Sequence, residues 1–316
     1  MLMVLVSGLS CRDTGTIQRQ TRFLMDTYCT IQVPGSIDVI PSIEKAFTRI
    51  EEIDAKFNSL NPASPLYAFN NDNVPVDDEE IVALVQKALS VSEETKGKYD
   101  IAIFPLIEAW GFYGESPSLP TQEKISGILN SINYHNLAIE NGRLVKKKDD
   151  VKIDLGSIAK GYAVAEAKKA LVDDGITSAL IDAGGDIYAL GTNAGKPWIV
   201  GIRNPRGEGV IGTLELTDMS VVTSGDYERF FEQDGVRYHH ILDPETGYPS
   251  RGLISVTVVS EDPTLADAWS TALFILGKEK GLVMADSLHT IQALMVTDDG
   301  EKICSSGMDI HHKTIN

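Results

Sequence analysis

The amino-acid sequence predicts an α+β fold, with a long, largely antiparallel sheet and helices on its faces. Three observations support this. Ile43, Phe47, Ile50, Ile53 and Phe57 recur at helical spacing. From residue 136 onward, short apolar runs alternate with turn residues, the pattern of successive short strands. A further apolar run, Leu265 to Leu276, sits between Pro263 and Gly277, residues that open and close helices.

The elements follow in order. Met1 to Leu9 is apolar apart from Ser7 and Gly8, and Cys11 comes directly after Leu9-Ser10. This is similar to the tail of a bacterial lipoprotein signal, whose cysteine becomes the lipidated N-terminus. The expectation is an exported protein, held by a lipid anchor at Cys11 on the extracytoplasmic face of the cell membrane. A frayed terminus with an incidental cysteine is the alternative. Residues 12–22 read as a polar tether and 23–312 as the folded part. Thr27 to Val33 alternates as a strand should, 41–57 is an amphipathic helix, and Asn58 to Asn73 has loop composition. Helices follow at 78–96 and 121–130. Ile153-Asp154-Leu155 ends a strand, and Gly156 to Asp174 has helix composition. Strands are expected at 177–182 and 187–190, then near 198–202, 211–216, 220–223, 236–242 and 253–259.

Bulk composition narrows the function. The 316 residues are 43% hydrophobic and 23% charged, ordinary globular values. The net charge of −17 argues against nucleic acid as a partner. It also repels phosphorylated ligands, so a phosphate-handling site would need a divalent cation or a nest of backbone amides. The three cysteines, Cys11, Cys29 and Cys304, lack C-x-x-C spacing and support neither a zinc site nor a disulfide framework. Beyond the first residues no segment reaches the ~20 apolar residues of a membrane span.

Several segments carry polar groups suited to chemistry. Asp154-Leu-Gly-Ser-Ile-Ala-Lys-Gly161 sets a carboxylate at a strand end and Lys160 at a helix start. Free amides and positive dipole there suit a phosphate, although Asp154 serves equally well as a helix cap. Asp182-Ala-Gly-Gly-Asp186 is a turn that permits positive φ and close backbone approach. His239 and His240 lie in one strand, so their rings point to opposite faces and at most one enters a given site. Asp267, Ser270 and Thr271 share one side of a helix and form a hard-oxygen set that suits Mg²⁺ better than zinc. A helix-start charge beside surface hydroxyls is the commoner meaning of that spacing.

Taken together and in order, these segments resemble the bacterial ApbE family of FAD:protein FMN transferases. The residues that carry the resemblance begin with Met25-Asp26-Thr27, Tyr99-Asp100-Ile101-Ala102, Pro105-Leu106, Trp110-Gly111, Asp154 to Tyr162 and Asp182 to Asp186. Thr223-Ser-Gly-Asp-Tyr227, His240 to Gly247 and Ala266 to Thr271 complete the set, and the resemblance spans roughly residues 20–310. It implies a two-lobed fold with a core related to the tunnelling folds and FAD between the lobes. It implies cleavage of FAD with Mg²⁺, transfer of FMN to a threonine of a target flavoprotein, and release of AMP. FAD pyrophosphatase activity and a non-catalytic flavin-binding lipoprotein are the alternatives. By position, the resemblance assigns the metal to Ser157 (through its carbonyl), Asp267, Ser270 and Thr271. It assigns the flavin nucleotide to Met25, Tyr99, Asp100, Asp154, Lys160 and Leu242, and turnover to His240 and Asp267. Leu60 stands where many members carry an aromatic residue, and Asp26 where glycine is common.

Overall fold

The structure is a computed structural model and describes residues 16–114 and 116–310. Cys11 and the apolar run before it lie outside the described residues. In chain order the strands are β1 (Ile17–Leu24), β2 (Thr27–Pro34), β3 (Leu137–Glu140), β4 (Arg143–Lys146), β5 (Ala179–Ala183), β6 (Asp186–Leu190) and β7 (Trp198–Arg203). They continue with β8 (Val210–Leu216), β9 (Met219–Gly225), β10 (Phe230–Gln233), β11 (Val236–His239), β12 (Leu253–Ser260), β13 (Ile291–Thr297) and β14 (Lys302–Cys304). The α-helices are α1 (Ile40–Phe57), α2 (Pro65–Asp72), α3 (Glu79–Glu94), α4 (Phe104–Trp110), α5 (Gln122–Leu129), α6 (Ala159–Asp173) and α7 (Pro263–Ser287).

Eight strands make one sheet in the order β1-β2-β5-β6-β9-β12-β13-β14, with every neighbouring pair antiparallel. Side chains alternate across it, so Leu180 and Ile181, or Val221 and Val222, serve opposite faces. On one face α1, α6 and α7 bring Phe47, Ala163 and Phe274 against Ile31, Ile181 and Val256. On the other, the β7–β8 hairpin lays Trp198, Val200 and Leu214 over Leu180, Ile187 and Val221. Each Val, Leu, Ile or Phe side chain among these taken fully out of water contributes about 1.5–3 kcal/mol, which holds both layers on the sheet. A smaller cluster of Leu106, Trp110, Phe112, Ile125 and Leu242, with Phe231 and Tyr238 against it, joins α4, α5 and the β10–β11 hairpin. The Trp110 indole N–H donates to the Gly247 carbonyl at 2.9 Å and ties this cluster to the turn after His240.

Four sequence expectations are corrected. The expected tether at 12–22 overlaps β1, which runs from Ile17. As an edge strand with half-exposed Gln and Arg residues, β1 lacks apolar alternation and gains its order from pairing with β2. The expected loop at 58–73 contains α2, because Ser64 caps the amides of Leu66 and Tyr67 and Pro65 follows at the first helical position. Ile153-Asp154-Leu155 is not in a strand. The Asn70 side chain takes the place of a strand partner, accepting from the Ile153 N–H and donating to its carbonyl, both at 2.8 Å. Finally, Gly277 (φ +76°) kinks α7, and the helix resumes to Ser287.

Helices α6 and α7 approach at Gly161, and no side chain fits there. A Cβ on Gly161 would lie 2.1 Å from the Pro263 carbonyl oxygen and 2.7 Å from Asp267 Cβ. Gly161→Ala is therefore expected to destabilise the fold by about 1–3 kcal/mol or more, the range for overpacking. Denaturant midpoints measure it, and an unchanged midpoint would contradict the packing described.

Candidate functional site

The start of α6 is the centre of the site. Asp154 does not cap the helix, since Ile158 occupies the cap position without a side-chain bond. Its Oδ1 accepts from the Tyr113 hydroxyl at 2.5 Å and its Oδ2 from the Gly156 N–H at 2.8 Å. Burial pushes this carboxyl up, and the two hydrogen bonds oppose the shift. A Cβ at Gly156 would meet Asp154 Oδ2 at 2.9 Å and the Tyr113 hydroxyl at 3.2 Å, so a side chain there would push on this clamp. The helix-start amide of Gly161 donates to Asp267 Oδ2 at 2.9 Å. That amide thus anchors a carboxylate of the chain itself, at a position where the helix dipole favours negative charge.

Asp267 and Ser270 are almost fully buried, which rules out a surface role for this face of α7. Ser270 Oγ donates to the Asp267 carbonyl at 2.8 Å. Ser224 Oγ, from β9, lies 2.7 Å from Ser270 Oγ and 3.2 Å from Thr271 Oγ1. The Lys160 ammonium sits 2.8 Å from Asp186 Oδ2 and 3.8 Å from Asp267 Oδ1. Burial and the nearby Asp267 push the Asp186 carboxyl well up, while Lys160 opposes them. The Lys160 ammonium is itself held charged by Asp186 and Asp267 against its burial. Two buried carboxylates face one ammonium, and three hydroxyls adjoin them. This excess of negative oxygen fits a hard divalent cation. No group of three or more His, Cys, Asp or Glu able to hold a metal occurs among the described residues, so part of any such shell must come from hydroxyls, carbonyls, water or substrate.

Tyr99 adjoins this centre. It is buried, and its oxygen accepts from Ser157 Oγ at 2.9 Å. Burial pushes its phenol up, with the Asp267 and Asp154 charges adding to the shift. Asp100 is occupied elsewhere: Oδ1 accepts from the Ala102 N–H and Oδ2 from the Tyr134 N–H, each at 2.8 Å. Leu242 is 1% exposed inside the smaller apolar cluster, a packing position. Leu60 is 45% exposed on the turn after α1.

The β1–β2 hairpin turns through Met25 and Asp26, at φ +53° and +57°. Two successive left-handed residues make the turn whose twist matches a hairpin. The Met25 N–H donates to Asp54 Oδ2 at 2.9 Å, and Asp26 lies 3.7 Å from the Arg229 guanidinium. Arg229 then reaches the histidine. Its carbonyl accepts from the His240 backbone N–H at 3.0 Å and lies 3.3 Å from the ring Nδ1. A carbonyl only accepts, so the proton sits on Nδ1 and the Nε2 lone pair is free. Burial and the Arg229 charge push His240 down to about 3, which keeps the ring neutral at pH 7.

His239 points the other way, as the strand period requires. Its Nε2–H donates to the Ser250 carbonyl at 2.8 Å, and its Nδ1 accepts from the Ile241 N–H at 3.3 Å. Both nitrogens are used, so this ring is structural. Burial pushes it down to about 4, against about 6.5 for an unfolded histidine. The stability it contributes is complete above pH ~6.5 and is lost as the pH falls from there towards ~4. Asp100 and Asp182, both pushed up to about 6 by burial, act in the opposite sense over part of that range. A paired comparison isolates the histidine. Between pH 7 and 5 the protein should lose about 2 kcal/mol more than its His239→Gln variant. Parallel stability–pH curves from urea titrations would contradict this.

Sequence reasoning missed Asp186, Ser224, Tyr113 and Arg229 as parts of the site. The first two lay inside motifs already singled out, a glycine turn and a Thr-Ser-Gly-Asp-Tyr run. The other two showed no local signal.

Known proteins resemble this chain over most of its length. The ApbE family model matches residues 25–295. The FAD:protein FMN transferase of Treponema pallidum (strain Nichols) is 31% identical, over 98% of this chain and 93% of its own length. That of Vibrio cholerae is 33% identical, over 86% of this chain and 84% of its own. Among solved structures, the ApbE protein of Thermotoga maritima superposes with a TM-score of 0.87 at 37% identity, covering 92% of this chain and 97% of that one. The flavin transferase ApbE of Vibrio cholerae gives 0.83 at 29% identity, over 92% and 98%.

Proposed function

The chain belongs to the ApbE family, and we propose that it is an FAD:protein FMN transferase that acts on a threonine of a target flavoprotein and requires Mg²⁺. The observation that carries this reading is an oxygen cluster in which the buried carboxylates of Asp267 and Asp186 face Lys160 and the hydroxyls of Ser270, Ser224 and Thr271 continue from the Asp267 carbonyl.

In this reaction the threonine oxygen bonds to the FMN-side phosphorus of FAD. The anhydride P–O bond to the AMP half breaks, and AMP leaves with that electron pair. The threonine proton goes to the free Nε2 of His240, which the Arg229 carbonyl holds in the required tautomer. Lys160 offers a charged donor to diphosphate oxygens, and Asp186 keeps its ammonium in place. Asp154, clamped by Tyr113 and Gly156, and Tyr99, clamped by Ser157, line the nucleotide's side of the site. Asp267, Ser270, Thr271 and the carbonyl of Ser157 would hold the metal. When bound, Mg²⁺ neutralises charge on the diphosphate. It also answers the repulsion that a chain of net charge −17 exerts on FAD.

AMP release from FAD, followed by chromatography with and without a threonine-bearing flavoprotein fragment, tests the reading. Release should depend on both Mg²⁺ and the fragment and should stop with EDTA. Equal release without the fragment would assign hydrolysis, with water as the acceptor.

A further inference from the structure

The side of the β11–β12 region on which His239 lies carries a separate cavity of about 290 Å³. Arg206, Asp226, Arg237, His239, Ser250 and Arg251 line it, together with Asp298 and the segment Gly252 to Ile254. Three guanidinium groups gathered at one place are unexpected in a chain of net charge −17.

Their partners are unequal. Arg206 grips Asp226 with two bonds of 2.7 and 2.5 Å. Arg237 lies 3.7 Å from Asp226 and 3.2 Å from Glu232. Arg251 donates to the Arg237 carbonyl at 2.8 Å, and among the described residues no carboxylate lies within ion-pair distance of it. Asp298 is tied to the wall through its own N–H, which donates to the Gly252 carbonyl at 3.2 Å. Arg206 and Arg237 are thus matched by Asp226 and Glu232, and Arg251 is the guanidinium without a carboxylate partner.

Ser250 supplies an independent sign. The residue is 7% exposed, and its Oγ has no hydrogen-bond partner. Buried hydroxyls are rarely left so, and a partner is ordinarily found in protein, water or ligand. The neighbouring His239 does not compete, since both its nitrogens are engaged.

We infer that this cavity is an oxyanion site, in which a phosphate or carboxylate group is held by the Arg251 guanidinium and the Ser250 hydroxyl. Arg237 and Arg206, each held by a carboxylate, form part of its wall. Planar, forked donors such as Arg251 suit both ligand types. The site is distinct from the flavin reaction centre and does not rest on the transferase reading. It is nevertheless close to that centre. Ser224, two residues before Asp226, bonds Ser270 and Thr271, and His239 adjoins His240.

Calorimetric titration of the full chain with sodium phosphate, and separately with acetate, tests the inference. Saturable binding of at least one of them is expected. It should weaken at least tenfold in Arg251→Gln, whose exposed position leaves the fold intact, and in Ser250→Ala, and it should recover in part in Arg251→Lys. Saturation by phosphate alone assigns a free phosphate as occupant. Displacement of bound phosphate by an acidic fragment of an acceptor protein assigns a protein carboxylate. No saturable binding of either anion, or the same affinity in Arg251→Gln as in the unmodified chain, would overturn the proposal.

Discussion

Asp267→Ala is expected to lower FAD cleavage by at least ~10²–10³-fold, the loss typical when one preorganised electrostatic group is taken from a reacting centre. Asp267 is 3% exposed, and each of its oxygens has a defined neighbour, the Gly161 amide for Oδ2 and the Lys160 ammonium for Oδ1. Removing the carboxylate leaves a helix-start amide unpaired and takes a negative charge from the proposed metal set. Stability falls as well, so the alanine variant alone mixes two effects. Asp267→Asn separates them, because the amide oxygen still accepts from Gly161 and only the charge is lost. AMP release at saturating FAD, followed across a Mg²⁺ titration, should show a large drop in both variants. The asparagine variant should keep a melting temperature close to that of the unmodified chain. Turnover at the original level in Asp267→Asn would remove Asp267 from the metal set.

His240→Ala should lower turnover by ~10²–10⁴-fold while FAD affinity stays near its original value, the signature of a positioned base. The geometry is specific on this point. The Nδ1 side faces the Arg229 carbonyl, the ring lies edge-on to Phe112 at 6.4 Å between centroids, and Nε2 is left to accept a proton. Its pKa, pushed down to about 3, makes it a weak base that is always ready to accept at neutral pH. The threonine hydroxyl sheds its proton to it only as the bond to phosphorus forms. A phosphate contact in the ground state would instead lower affinity and rate together. Calorimetry with FAD, single-turnover AMP release and a melting curve separate these outcomes. A variant with normal turnover and only a lowered melting temperature would leave His240 as a packing residue.

What could be read from the chain followed the strength of local signals. Helix α1 was legible because Ile43, Phe47, Ile50 and Ile53 make an uninterrupted stripe and are all buried in the core. The turn at Gly184 and Gly185 was legible because both need positive φ, and Gly184 also packs on Thr27 without room for a Cβ. Strand β1 was not legible, because its order comes from β2 rather than from its own pattern. The segment at Ile153 misled, because a distant amide, Asn70, supplies the bonds that a strand partner would give. At the site, Asp267, Ser270 and Thr271 could be grouped by helix spacing, but spacing could not say whether they faced solvent. Only the approach of α6 to α7 at Gly161 decides that. Arg229 and Tyr113 stayed hidden for the same reason. Their partners, Asp26 and Asp154, are remote in sequence, and no local pattern encodes such pairings.

The most direct test of the account is the intact mass of an acceptor. A flavoprotein fragment with one candidate threonine is incubated with this protein, FAD and Mg²⁺, then weighed and fragmented by mass spectrometry. The account predicts a gain equal to FMN less one water, located on the threonine, with one AMP released per modified fragment. It also predicts no gain in the threonine-to-alanine fragment or with the Asp267→Asn enzyme. A fragment of unchanged mass beside continuing AMP release would contradict transfer and make water the acceptor.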